Sequence, residues 1–134
     1  MADDMGGVGG VDSLDKGGIR FQDDGRSLLE ALVDGRQAGR IDYFLLEPAN
    51  GDEGAPAARV GVHTVVEPAH EGQGIGGQLA TAFYRAAAAE GRPVVPLCPY
   101  LKHWAETHPD QAPAADPGLV SRAAAYVESH SSLW

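Results

Sequence analysis

The segment Glu71-Gly72-Gln73-Gly74-Ile75-Gly76-Gly77 holds the residue types and spacing best suited to chemistry in this sequence. Glycine lets a backbone come close to a ligand and take conformations closed to other residues. The segment stands between a β-branched run and an amphipathic one, so it reads as a loop that opens a helix. The first N–H groups of a helix have no internal partner, and the helix dipole there favours an anion. Such a loop can hold a phosphate or pyrophosphate without a basic side chain. The spacing excludes a P-loop, which needs Gly-x-x-x-x-Gly-Lys-Ser/Thr. It fits a dinucleotide-binding fingerprint only in part, and 134 residues are too few for that fold. The competing reading is a glycine-rich helix start with no ligand.

The elements that must position this loop follow from periodicity. Residues 27–33 alternate, with Leu28, Glu30 and Leu32 on one face and Leu29, Ala31 and Val33 on the other. Asp34-Gly35-Arg36-Gln37 reads as a turn. Residues 38–46 alternate again, with Ile41, Tyr43 and Leu45 opposite Arg40, Asp42, Phe44 and Leu46, so the two runs form an antiparallel hairpin. Residues 48–56 are a loop. Residues 57–66 form a third strand, with Val60, Val62, Thr64 and Val66 on one face and Gly61, His63 and Val65 on the other; Pro68 stops it. Residues 74–90 switch to a helical period, with Ile75, Leu79, Ala82, Phe83 and Ala86 as the apolar stripe and Gly91 as the stop. A short strand over 93–97, a helix over 100–107 and a last helix over 119–130 complete the pattern. The fold class is α/β (α+β), with a mostly antiparallel sheet and two or three helices. Residues 1–18, rich in Gly and Asp, read as a disordered acidic tail, 19–110 as the domain, and 111–134 as a linker with a possible C-terminal helix.

Charge and composition narrow the partners. Nineteen acidic residues against ten basic ones give a net charge of −9. Such a surface repels nucleic-acid phosphates and anionic membranes. No run reaches the roughly 18 apolar residues of a membrane span. Cys98, the lone cysteine, forms no intramolecular disulfide, and a cytoplasmic setting is expected. No His, Asp or Glu pair shows metal-ligand spacing.

Three further motifs flank the loop in order. His63-Thr64-Val65-Val66-Glu67-Pro68 precedes it; Pro96-Leu97-Cys98-Pro99-Tyr100 follows the helix; His108-Pro109-Asp110 comes last. With Gly-x-Gly-Ile-Gly at 72–76, this order resembles a family of very small proteins of the GNAT (N-acetyltransferase) superfamily. The resemblance covers residues 57–110 well and 27–46 loosely. It implies a minimal GNAT-like fold with splayed central strands and a site for acetyl-CoA. The backbone of Thr64, Val65 and Val66 would bond the pantetheine amides. The amides of Glu71, Gly72, Gln73, Gly74, Ile75, Gly76 and Gly77 would hold the pyrophosphate, while Cys98 and Tyr100 would line the site. Glu71 stands where the superfamily usually has Gln or Arg; at about 6 Å in water its charge would cost roughly 0.7 kcal/mol against a phosphate.

The same resemblance implies acyl transfer by direct attack of an amine on a thioester, which needs a base, a polarised carbonyl and an acid. Cys98 would meet the acetyl group as acyl acceptor or thiol acid; its alternative is a small buried apolar residue. His63 could serve as base or as a core histidine, and Tyr100 could protonate the departing sulfur. His108 fits a helix-end cap better than a catalytic role. The implied partner is a small-molecule or protein amine acceptor, with the chain a monomer or homodimer. No helix pair separates the first two strands, so the acceptor pocket is expected to be shallow or completed by a partner chain. The alternative function is a coenzyme A-binding module with little catalysis.

Overall fold

The computed structural model describes residues 18–48 and 54–130. The expected acidic tail, except Gly18, the middle of the 48–56 loop and the last four residues lie outside the described residues. The elements are β1 (Ile19–Asp23), β2 (Leu28–Val33), β3 (Arg36–Leu46), β4 (Ala58–Val66), α1 (Ile75–Ala89), β5 (Val94–Pro96), α2 (Pro99–Thr107) and α3 (Pro117–Ser129). The five strands lie in chain order across one sheet. β1 to β4 pair antiparallel, and β5 joins β4 in parallel. The expected fold class is the one observed.

Local chemistry explains the joints. The β2–β3 turn is the pair Asp34-Gly35, both at positive φ (53° and 79°), tighter than the four-residue turn expected. At the β1–β2 corner the Asp24 carboxylate accepts from the amides of Arg26, Ser27 and Leu28 at 2.8–3.0 Å. α1 ends in a Schellman motif: Gly91 N donates to Ala88 O and Arg92 N to Ala87 O at 2.9 Å, with Gly91 left-handed at φ 69°. A single turn of 3-10 helix at Pro68–His70 carries the chain from β4 toward the glycine loop.

The sheet is covered on both faces. Against one lie α1 and α2, burying Ile75, Leu79, Phe83 and Leu101 on Leu29, Ile41 and Tyr43. Against the other lies α3, whose Ala123, with Leu119, Val120 and Val127, packs on Val60, Val62 and Val95. The buried face of α1 is wider than the expected stripe. It includes Ala80, Tyr84 and Ala87 because α2 covers that flank, with Tyr84 stacked on Trp104 at 5.7 Å between ring centroids.

The sequence reading passed over β1. Its Asp23 belongs to a buried ionic network. The Arg59 guanidinium, with no exposed surface, donates to Asp23 at 2.8 Å and to Glu90 at 2.9 Å, and stacks 4.6 Å over the Tyr43 ring. Tyr43 Oη donates to Asp23 at 2.6 Å. Burial first, then this hydrogen bond, hold the Tyr43 phenol protonated well above its ordinary range. The network ties β1, β3 and β4 to the end of α1.

The two-face pattern expected for β4 is corrected. Tyr43 pairs with Gly61 and Asp42 with His63, so Val62 is an extra residue, a β-bulge. Before the bulge, Gly61 faces α1 and α2, while Val60 and Val62 face α3. After it the phase is shifted. Thr64 and Val66 face the α1–α2 side, and His63 shares the α3 side with its cross-strand partner Asp42. Strict alternation cannot register an inserted residue.

Candidate active site

Two features of the backbone create the site. The first is the parting of β4 and β5. Their pairing runs only from Arg59↔Val94 to Gly61↔Pro96, and then Leu97 N and Cys98 N both donate to Gly61 O at 3.0 and 3.1 Å. Beyond Gly61, β4 continues to Val66, paired with β3 alone. The parting is fixed by Gly61, since a Cβ there would come within 2.5 Å of Leu101 Cδ1. Leu101 fills the space and turns the chain away into α2.

The second is the start of α1. Gly72 and Gly74 are left-handed (φ 83° and 79°), with open space around the position of a Cβ. Gly74 is the N-cap. No side chain caps it, and no acid stands in the first turn. The amides of Ile75, Gly76 and Gly77 thus keep the unsatisfied donors of a helix start. Glu71 is exposed, and Gln73 Oε1 lies 3.1 Å from His70 Nδ1. This donor set fits the pyrophosphate of a coenzyme: backbone N–H groups, a favourable dipole end and no competing carboxylate in the first turn.

Gly76 has a second reason to be glycine. A Cβ there would stand 2.8 Å from Tyr100 Oη, so its absence lets the Tyr100 ring lie against the first turn of α1. Burial, and then the proximity of Cys98, raise the Tyr100 pKa. Cys98 is the N-cap of α2 and is 5% exposed. Its Sγ donates to Thr64 Oγ1 at 3.4 Å, bridging the parted strands. Thr64, Cys98, Tyr100 and Gly76 therefore form one neighbourhood. His63 lies outside it, on the opposite face of β4. His108 caps α2, with Nδ1 2.8 Å from Trp104 O.

The sequence reading missed Gly61 and Leu101, the pair that sets the parting; a glycine inside a strand was the available signal. A cavity of about 500 Å³ lies elsewhere, lined by Leu97, Lys102, Glu106, Ala115 and Val120 among others, and by none of the candidate site residues. Among the described residues, no group of three or more His, Cys, Asp or Glu is arranged to hold a metal ion, and no helix is long and apolar enough to cross a membrane.

Residues 29–114 match the family described as GCN5-related N-acetyl-transferase, and the chain belongs to that family. No curated protein matches the chain. Among solved structures it is similar to a ribosomal-protein-alanine N-acetyltransferase from Brucella melitensis biovar Abortus 2308, at 27% identity over 66% of this chain and 62% of that one, TM-score 0.49. An aminoglycoside acetyltransferase from an uncultured soil metagenomic sample, in complex with trehalose, is 17% identical over 66% and 58%, TM-score 0.48. An aminoglycoside N-acetyltransferase in complex with CoA is 20% identical over 66% and 60%, TM-score 0.41. The chain spans less than two thirds of the length of each.

Proposed function

We propose that this chain is an acetyl-CoA-dependent N-acetyltransferase that acts on an amine. The observation that carries the reading is a coincidence of two backbone features. The uncapped start of α1 and the parting of β4 from β5 lie at one end of the sheet, joined by the Thr64–Cys98 contact and by Tyr100 against Gly76. When bound, acetyl-CoA supplies the thioester that an amine attacks.

The chain's own residues then divide the work. The amides of the Gly72–Gly77 segment hold the pyrophosphate. The open side of β4, at Thr64, Val65 and Val66, offers backbone groups to the pantetheine arm. Cys98, buried with its Sγ 3.4 Å from Thr64 Oγ1, serves as a proton donor to the leaving sulfur rather than as an acyl carrier. Tyr100 is the second candidate donor. His63, on the α3 side, takes the proton of an amine that arrives from that side. The residues that carry this site lie within 19–110, and α3 beyond them closes the second face of the same sheet. A net charge of −9 favours a cationic acceptor.

Turnover tests the reading. With acetyl-CoA and a pool of primary amines, free thiol is released in step with acetylated amine. Saturable acetyl-CoA binding with no transfer to any amine would support the coenzyme A-binding module instead.

A further inference from the structure

Tyr84 of α1 carries a hydroxyl that neither the coenzyme site nor the packing of the core explains. The residue is 5% exposed, with its ring stacked on Trp104 at 5.7 Å and edge-on to Phe83 at 6.3 Å. Its Oη is enclosed and has no hydrogen-bond partner among the described residues. Burial pushes the phenol pKa up to about 12, so at neutral pH the group keeps its proton and both donates and accepts. Buried tyrosine hydroxyls ordinarily find a partner, and one without it is a net cost to folding that phenylalanine would avoid in the same space.

The space around the ring identifies where a partner would come from. Tyr84 borders cavities of about 500, 450 and 350 Å³. The first lies between α2, the end of β5, the 109–116 segment and α3, with Leu97, Lys102, Ala105, Glu106 and Val120 in its wall. Tyr84 is the one residue of α1 in that wall, so the far end of its ring is what reaches across. The second cavity shares Tyr84 and residues 113–115 with the first. With open space beside it in more than one cavity, the ring end has room to turn its hydroxyl toward a molecule in the first.

The lining sets the chemistry of that molecule. Lys102 and Glu106, both exposed, stand one turn apart on α2 and offset each other's charge. Apart from these and Tyr84, the lining residues are proline, leucine, alanine and valine. A concave, largely apolar wall of this size with one enclosed hydroxyl suits an uncharged ligand that pairs with that hydroxyl. We propose that this cavity is a second binding site, for an uncharged, largely apolar small molecule whose hydroxyl or carbonyl pairs with Tyr84 Oη. The site does not depend on the acetyltransferase reading. Lys102, Ala105 and Glu106 lie on a different face of α2 from Tyr100, and no residue of the glycine loop lines the cavity.

The test is an amide-resolved NMR titration with 2-naphthol and with naphthalene, on the wild type and on Tyr84→Phe, with saturating coenzyme A present throughout. Tyr84→Phe keeps the ring and removes the hydroxyl alone. In the wild type, 2-naphthol should shift Leu97, Ala105 and Val120 saturably and bind about fivefold tighter than naphthalene. In Tyr84→Phe the two Kd values should agree within about twofold. The urea midpoint of ligand-free Tyr84→Phe should be no lower than that of the wild type, because the hydroxyl has no partner to lose. Absence of saturable shifts at Leu97, Ala105 and Val120 in the wild type overturns the inference. So does a preference for 2-naphthol that survives in Tyr84→Phe, and so does a clearly lower urea midpoint, which would show the hydroxyl already paired.

Discussion

Replacing Asp23 with alanine should strip the fold of a large part of its stability. Asp23 is 6% exposed, and its two oxygens accept from Arg59 Nη1 at 2.8 Å and from Tyr43 Oη at 2.6 Å. Breaking a buried ion pair from one side typically costs about 3–5 kcal/mol, because the remaining charge is left uncompensated. Glu90 still neutralises Arg59, but its side chain is 36% exposed, so solvent screens what it can offer. The lower half of that range, about 3–4 kcal/mol, is therefore expected for the ion pair. The stranded Tyr43 hydroxyl adds about 1 kcal/mol more. A domain of this size has roughly 5–15 kcal/mol in all. Urea unfolding at pH 7 should show a midpoint well below wild type with an unchanged slope. Arg20→Ala, exposed on the same strand, should change stability by less than about 0.5 kcal/mol. A loss below about 1 kcal/mol for Asp23→Ala would refute the argument, showing that Arg59 and Tyr43 find other partners at little cost.

Other outcomes follow from the same geometry. Burial alone would raise the Asp24 pKa, but hydrogen bonds from Arg26, Ser27 and Leu28 outweigh it and lower the value from 3.8 to about 2. The associated stability is present above pH 4 and is lost as pH falls from about 4 to 2. At this exposed site it is worth less than about 1 kcal/mol after screening; Asp24→Asn should flatten the acid limb of stability by that amount, and an unchanged limb would contradict it. Leu101→Ala opens a cavity against Gly61 and Phe83, and should destabilise by about 2–5 kcal/mol in the same urea assay. Intact mass after incubation with acetyl-CoA alone should show no acetyl group on Cys98; a stable acetyl adduct would reverse the role proposed for its thiol.

Much of the fold was legible because its signals are local. The alternation of Ile41, Tyr43 and Leu45 set one face of β3, Asp34-Gly35 set the hairpin, and Gly91 ended α1. What escaped depended on distant partners. β1 carries a polar residue, Asp23, at a buried position, so its five-residue alternation of Ile19 and Phe21 stops short of a recognisable strand; the justification for Asp23 is Arg59, thirty-six positions away. The bulge at Val62 arises between two strands and leaves no mark in either alone, yet it carries Thr64 to the side of Cys98 and His63 to the other. At the site, the glycine loop was legible as a helix start because its conformational demand is written in residue type. That Gly76 also makes room for Tyr100 was not, because it depends on how α2 packs.

The central claim is that the amides at the start of α1 hold the pyrophosphate of acetyl-CoA, with the pantetheine arm along the open side of β4. An amide-resolved NMR titration with acetyl-CoA measures this directly. The account predicts saturable shifts concentrated at Gly72–Gly77 and at Thr64, Val65 and Val66, with residues of β1 and β2 unmoved. Saturable binding whose shifts fall elsewhere, or no saturable shift at all, would contradict it.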